Sequence, residues 1–202
     1  TGQLEDEDDE SRSQVTRLIF DVEPKVRKAT AGFIKGLWED LSERLSNEFS
    51  TLRDGKKKRA AKIDAEELTR RFQYKALAQL LVETSQSLDA PEEDEEAGPS
   101  KQLGLVTAST SSPATRAAAA TEALRKTIDL LEDWSDLVDY LLLDHSTSGT
   151  DPWLLTEEEE DFMLEVLIPC IRLAEEVSNC VFVRRLTSQD AEESHKTKEL
   201  MK

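Results

Sequence analysis

Three stretches of this chain carry residue types that could do chemistry. Asp144-His145-Ser146 holds the members of a nucleophilic triad. A triad needs its side chains to converge in space, and adjacency in sequence does not supply that geometry. The stretch falls at an expected helix end, where a polar cluster serves as a cap. Glu157 to Glu160 could form an acid–base cluster. Placed after Thr156, however, the run fits the first turn of a helix, where carboxylates meet the positive end of the helix dipole. Capping accounts for it without catalysis. Cys170, Cys180, His145 and His195 are the only thiols and imidazoles. A zinc site takes four ligands at spacings such as CxxC or HxxxH, which these residues lack. No metal and no cofactor is expected. Cys170 lies in an apolar helical stripe and reads as a small core residue. The chain has no GxSxG elbow, no P-loop and no GxGxxG following a strand. Neither an enzyme nor a small-molecule substrate is expected.

A fourth stretch carries charge rather than reactivity. Arg53 to Lys62 reads RDGKKKRAAK, six basic residues against one Asp, and Arg70, Arg71 and Lys75 follow. Lys56, Lys57, Lys58, Arg59, Lys62, Arg70 and Arg71 are the candidate DNA-binding residues. No aromatic interleaves the lysines, so base stacking is not expected. Contact would be with the phosphates of duplex DNA and indifferent to sequence. A solvated loop, or a localisation signal read by an import receptor, explains the same cluster.

The cluster stands out because the rest of the chain is acidic. The 202 residues include 26 Lys plus Arg and 43 Asp plus Glu, for a net charge of −17. Glu5 to Glu10 (EDEDDE) and Glu92 to Glu96 (EEDEE) hold much of the excess, and such runs are usually solvated. Apolar residues are 38% of the chain, below the roughly 45–50% of a typical globular domain. Part of the chain therefore lies outside any core. Seven Gly and six Pro are too few for a turn-rich all-β fold. No run of about 18 apolar residues exists, so no membrane span is expected. No signal peptide is apparent, and two thiols suit a reducing compartment. The chain opens on Thr1 and reads as a segment of a longer protein.

The elements that must position these residues are helices. The spacing predicts a first helix from about Asp9 to Phe20, with Val15, Leu18 and Ile19 inward. A short turn, Asp21-Val22-Glu23, leads into a second helix opened by Pro24. Val26, Ala29, Phe33, Leu37 and Leu41 form its predicted stripe, and Asp54-Gly55 stops it. A third helix starts after Asp64, with Glu67 completing a capping box, and ends near Leu88. Its inward residues are Leu68, Phe72, Leu77, Leu80 and Leu81. Residues 89–114 turn polar and lose aromatics; they read as a disordered acidic insertion. A single helix is expected from Thr115 to Asp144, with Leu124, Ile128, Leu131, Val138 and Leu142 along one side and Trp134 buried at its edge. A helix capped by Thr156 follows, kinked at Pro169, and a sixth starts near Ser188. The expected organisation is a disordered acidic end at 1–8, helices at 9–88, the insertion at 89–114 and helices at 115–202.

Helix pairs of about 40 residues with a wide apolar stripe suggest an all-α solenoid of HEAT-type antiparallel pairs. The phrase Asp21-Val22-Glu23-Pro24-Lys25-Val26-Arg27-Lys28-Ala29 resembles the turn inside a HEAT repeat. There Val26 and Ala29 would enter the core while Arg27 reaches a neighbouring repeat. Further on, Leu131-Glu132-Asp133-Trp134 leads to Leu141-Leu142-Leu143, then Leu155-Thr156 and the carboxylate run, then Leu164-Glu165-Val166-Leu167-Ile168-Pro169-Cys170-Ile171-Arg172-Leu173-Ala174-Glu175-Glu176. This succession resembles the central repeats of the stromal antigen (stromalin) family, the HEAT-repeat accessory subunit of cohesin. In order, the likeness covers about two thirds of the chain, and its specific part is 131–176; the insertion departs from it. The resemblance implies a non-catalytic cohesin subunit acting in the nucleus on chromatin. Its implied partners are the kleisin subunit, duplex DNA, and the cohesin ring and loader, in support of sister-chromatid cohesion. A HEAT-type protein-binding adaptor in transport or trafficking is the alternative.

Overall fold

The computed structural model describes residues 11–53, 64–89, 112–146 and 151–175, and the described residues are helical with no strand among them. Six helices follow one another. Helix α1 covers 11–17 and tightens into a 3₁₀ turn at Leu18–Phe20. Helix α2 is Pro24–Arg53, α3 is Ala65–Asp89, α4 is Pro113–Leu124, α5 is Trp134–Leu141, and α6 covers 157–175. The acidic end at 1–8, Cys180, His195 and the sixth helix expected near Ser188 lie outside the described residues.

The turn before α2 forms as its residue types dictate. The Asp21 carboxylate accepts the Glu23 backbone N–H at 2.7 Å, and Pro24 starts the helix without a donor to satisfy. The inward face of α2 is nevertheless rotated by one residue from the predicted stripe. Ala31, Ile34 and Trp38 are buried, Leu41 and Leu45 pack beside them, and Phe33 and Ala29 face outward. The cause is Trp38, whose indole N–H donates to the Gln73 carbonyl at 2.8 Å. A residue that large, tied to α3, sets which side of α2 turns inward.

Helix α3 holds its predicted register, with Phe72, Leu77 and Leu81 buried. Its start differs in detail. Asp64 accepts the Ala65 N–H, but Glu67 reaches forward to Arg71 rather than back to the cap.

Two boundaries differ from expectation, at the ends of the 89–114 segment and within 115–144. Asp89 is the last residue of α3, and Ser112 caps α4 by accepting the Thr115 N–H, so both ends of the 89–114 segment belong to helices. Residues 90–111 lie outside the described residues. The single helix from Thr115 to Asp144 is broken twice. The Leu124 carbonyl accepts from both Thr127 and Ile128, and Ile128 then turns extended, with φ −116° and ψ 99°. A 3₁₀ turn at Asp129–Leu131 follows, and Asp133 caps the new start by accepting the Asp136 N–H. The β-branched Thr127-Ile128 pair and the closely spaced aspartates favour these local bonds over the helical ladder. The breaks keep Leu124, Ile128, Leu131 and Leu137 all buried, while Leu142 is left 77% exposed. They also put Trp134 in the first turn of α5, where it is 40% exposed and not buried as expected.

Helix α6 opens with a reciprocal capping box. Thr156 Oγ1 accepts from Glu159 N–H, and the Glu159 carboxylate accepts from Thr156 N–H at 2.7 Å. The helix runs without interruption past Pro169. Phe162, Met163, Val166 and Cys170 join one core that begins at Ile19 and takes in α2 to α5. Phe20 and Phe162 meet edge to face at 6.5 Å, so the first and last described helices touch.

Candidate functional site

The candidate DNA-binding residues sit at or beside one end of the α2–α3 hairpin. That end is clamped by a second, aromatic cluster. Phe49 of α2, Phe72 of α3 and Trp153 of the segment before α6 hold one another at 5.1 to 6.0 Å between ring centroids. Edge-to-face rings bury large apolar area and fix orientation. Lys56, Lys57, Lys58, Arg59 and Lys62 belong to the connection that leaves and re-enters this end; they lie outside the described residues.

Arg70 and Arg71 are described, and both are engaged. Arg70 pairs with Asp136 of α5 and, at 3.5 Å, with Glu66 one turn earlier. Arg71 donates to Glu67 at 2.9 Å. The α3–α5 contact therefore takes the Arg70 charge for holding two helices together. Beneath these pairs Tyr74 and Tyr140 stack at 5.0 Å with 18° between their planes. Burial raises both phenols above their ordinary value; Asp136 and Asp133 push Tyr74 further up, and Glu159 does the same to Tyr140.

The Asp144-His145-Ser146 stretch is a set of caps. His145 Nδ1 accepts the Leu155 N–H at 3.0 Å, so the ring proton is on Nε2, which donates to the Tyr140 carbonyl at 3.0 Å. Both nitrogens are occupied by backbone and the ring is buried. Ser146 donates instead to Asp144, at 2.6 Å, and that bond holds the Asp144 carboxyl below its usual range. In this arrangement His145 is no base for Ser146. Glu159 of the carboxylate run is buried and pairs with Lys75, and Glu158 accepts from Gln86 at 2.7 Å. Burial pushes the Cys170 thiol up to about 11, which keeps it protonated and inert. Among the described residues no group of three or more His, Cys, Asp or Glu could hold a metal. No helix among them is long and apolar enough to cross a membrane.

Two buried arginines join helices. Arg27, only 7% exposed, donates to the carbonyls of Asp21 and Val22 at 2.8 and 3.0 Å and to Glu122 of α4 at 2.8 Å. One side chain thus ties the α1–α2 turn to the next helix pair. Arg116 forks onto both oxygens of Asp89, at 2.8 and 2.6 Å, and onto Ser85. The sequence expectation had Arg27 reaching beyond its own turn, and it does reach Glu122 of α4; nothing in the sequence signalled Arg116, which precedes a run of alanines. No protein-family model, no curated protein and no solved structure matches the chain.

Proposed function

We propose that the chain is a non-catalytic segment of a HEAT-type cohesin accessory subunit, similar to the stromal antigen family. In this reading it acts in the nucleus by binding the kleisin subunit, and touches duplex DNA through phosphates. Arg27 carries the proposal. The HEAT-like phrase Asp21 to Ala29 requires an arginine that leaves its own turn for the neighbouring pair, and Arg27 bonds the turn carbonyls and Glu122 together. The resemblance of the 131–176 succession to the stromal antigen family supports the choice of family. The Phe49–Phe72–Trp153 cluster fixes the end of the α2–α3 hairpin, and the lysine-rich stretch runs in sequence between these two helices. DNA contact rests on Lys56, Lys57, Lys58, Arg59 and Lys62, because Arg70 and Arg71 are already held by carboxylates.

A second reading is a HEAT-type protein-binding adaptor in transport or trafficking. The Phe20–Phe162 contact brings the first described helix against the last, a closure that bears equally on both readings, so the choice between them falls to partner binding. Two measurements separate the readings. Pull-down with fragments of a kleisin tests the partner, and no fragment retained would remove the cohesin reading. Duplex DNA binding across a salt series tests the basic cluster. Changing Lys56, Lys57, Lys58 and Arg59 to Glu should weaken binding and flatten the slope by roughly 0.9 per lost phosphate contact. Kleisin binding should be unchanged. Equal affinity and slope in parent and variant would remove DNA from the proposal.

A further inference from the structure

The α3–α5 contact encloses a cleft of about 90 Å³ lined by Glu67, Arg70, Arg71, Tyr74, Asp136, Asp139 and Tyr140. Ligand pockets for drug-sized molecules are roughly 300–1,000 Å³, so this one admits a single side-chain head group and no more. Its charges are not balanced. Arg70 is taken by Asp136 and Glu66 and Arg71 by Glu67, while Asp139 is in no ion pair among the described residues. Tyr74 is 1% exposed, and no group among the described residues hydrogen-bonds its hydroxyl. Buried polar atoms are almost always satisfied, and one that is not asks for a partner.

We infer that this cleft seats an arginine side chain of a partner protein, received by the Asp139 carboxylate, the Tyr74 hydroxyl and the stacked tyrosine pair. A guanidinium matches all three. It is planar, it donates in a fork to carboxylate and hydroxyl oxygens together, and it lies favourably against aromatic faces. Three carboxylates against two guanidiniums give the lining a net negative charge, which disfavours an anion. A metal ion lacks a set of three ligating groups here. The inference stands apart from the DNA reading, since that reading rests on Lys56, Lys57, Lys58, Arg59 and Lys62, none of which lines the cleft.

The test uses the full 202-residue chain and a one-arginine probe, N-acetyl-arginine amide, because a polycation would collect on a surface of charge −17 regardless of any pocket. Amide shifts in an NMR titration should concentrate at residues 70–74 and 136–140, and N-acetyl-citrulline amide should produce none. Tyr74→Phe, which keeps the charge, should weaken binding roughly 3- to 10-fold, the loss of one hydrogen bond. The same variant should raise the Tm, because it deletes a buried unpaired hydroxyl. Asp139→Asn, at an exposed position that does not threaten folding, should weaken binding at least as much. Asp40→Asn on α2 removes an equal charge elsewhere and should leave affinity unchanged. Shifts spread over the whole surface would overturn the inference. So would affinities for Tyr74→Phe and Asp139→Asn within twofold of the parent, the result expected if only water occupies the cleft.

Discussion

Residues 24–53 and 113–141 carry similar apolar periods, yet one is a single helix of 30 residues and the other is two helices and a 3₁₀ turn. What differs is the side chains between the apolar positions. In α2 these are mostly Lys, Arg, Glu, Ser and Gly with a single Asp, and Ser50 bonds back to the Ser46 carbonyl within the helix. In the second region Asp129 and Asp133 fall where a new helix start competes with the old one, and Thr127-Ile128 precedes them. A three-to-four period reports which residues are inward; it says little about whether the helix between them is unbroken.

The two tryptophans are the strongest test of that contrast. Trp38 is buried and hydrogen-bonded across the unbroken hairpin, and Trp38→Ala should cost about 3–5 kcal/mol in urea unfolding. Trp134 caps the edge of the broken region, and Trp134→Ala should stay within about 1 kcal/mol. Equal losses would mean that the two regions are equally dependent on their large residues. Next in size is Asp89→Ala, which takes from the buried Arg116 guanidinium the carboxylate that receives it in a fork. A loss of about 2–3 kcal/mol in thermal or urea unfolding is expected. Asp133→Ala should remove the cap that restarts α5 and cost about 1 kcal/mol, with hydrogen exchange quickening at residues 134–137 first. The smallest effect is a gain. A methyl group at Gly36 meets nothing within 4 Å, so Gly36→Ala should stabilise the long helix by about 0.5–1 kcal/mol.

Acidity probes the same two carboxylates. The Arg116 hydrogen bond lowers Asp89, and the Ser135 hydroxyl lowers Asp133. A carboxyl lowered in the folded state stabilises above its unfolded value and loses that contribution as pH falls through the folded one. The parent should therefore lose stability below about pH 4, and a variant with both residues changed to Asn should lose less over that interval. Parallel losses in the two proteins would remove these groups as the acid-sensitive pair.

Much of the helical layout was legible in the sequence because local chemistry decided it. Pro24 starts α2, Asp64 precedes α3, and Thr156 with Glu159 caps α6, each from a few adjacent residues. The rotated face of α2 was not legible, since Trp38 finds its acceptor 35 residues away on α3. The same holds for Trp134: its exposure follows from two breaks that only the competing caps produce. Of the basic locus, the sequence showed the charge and its place between two helices. It could not show that Arg70 is held by Asp136, a partner 66 residues on.

The Arg116–Asp89 clasp joins the last residue of α3 to the first turn of α4, and so closes the base of whatever the chain carries between them. The clasp holds the ends of α3 and α4 together through described residues alone. For a chain segment closed at its ends, doubling the length costs only about 0.6 kcal/mol. The clasp thus marks a docking port in the engineering sense. A fluorescent domain or an affinity tag spliced between 90 and 111 should leave the helices on either side in place, and sequence at that site is free to drift or lengthen without disturbing what the rest of the molecule binds.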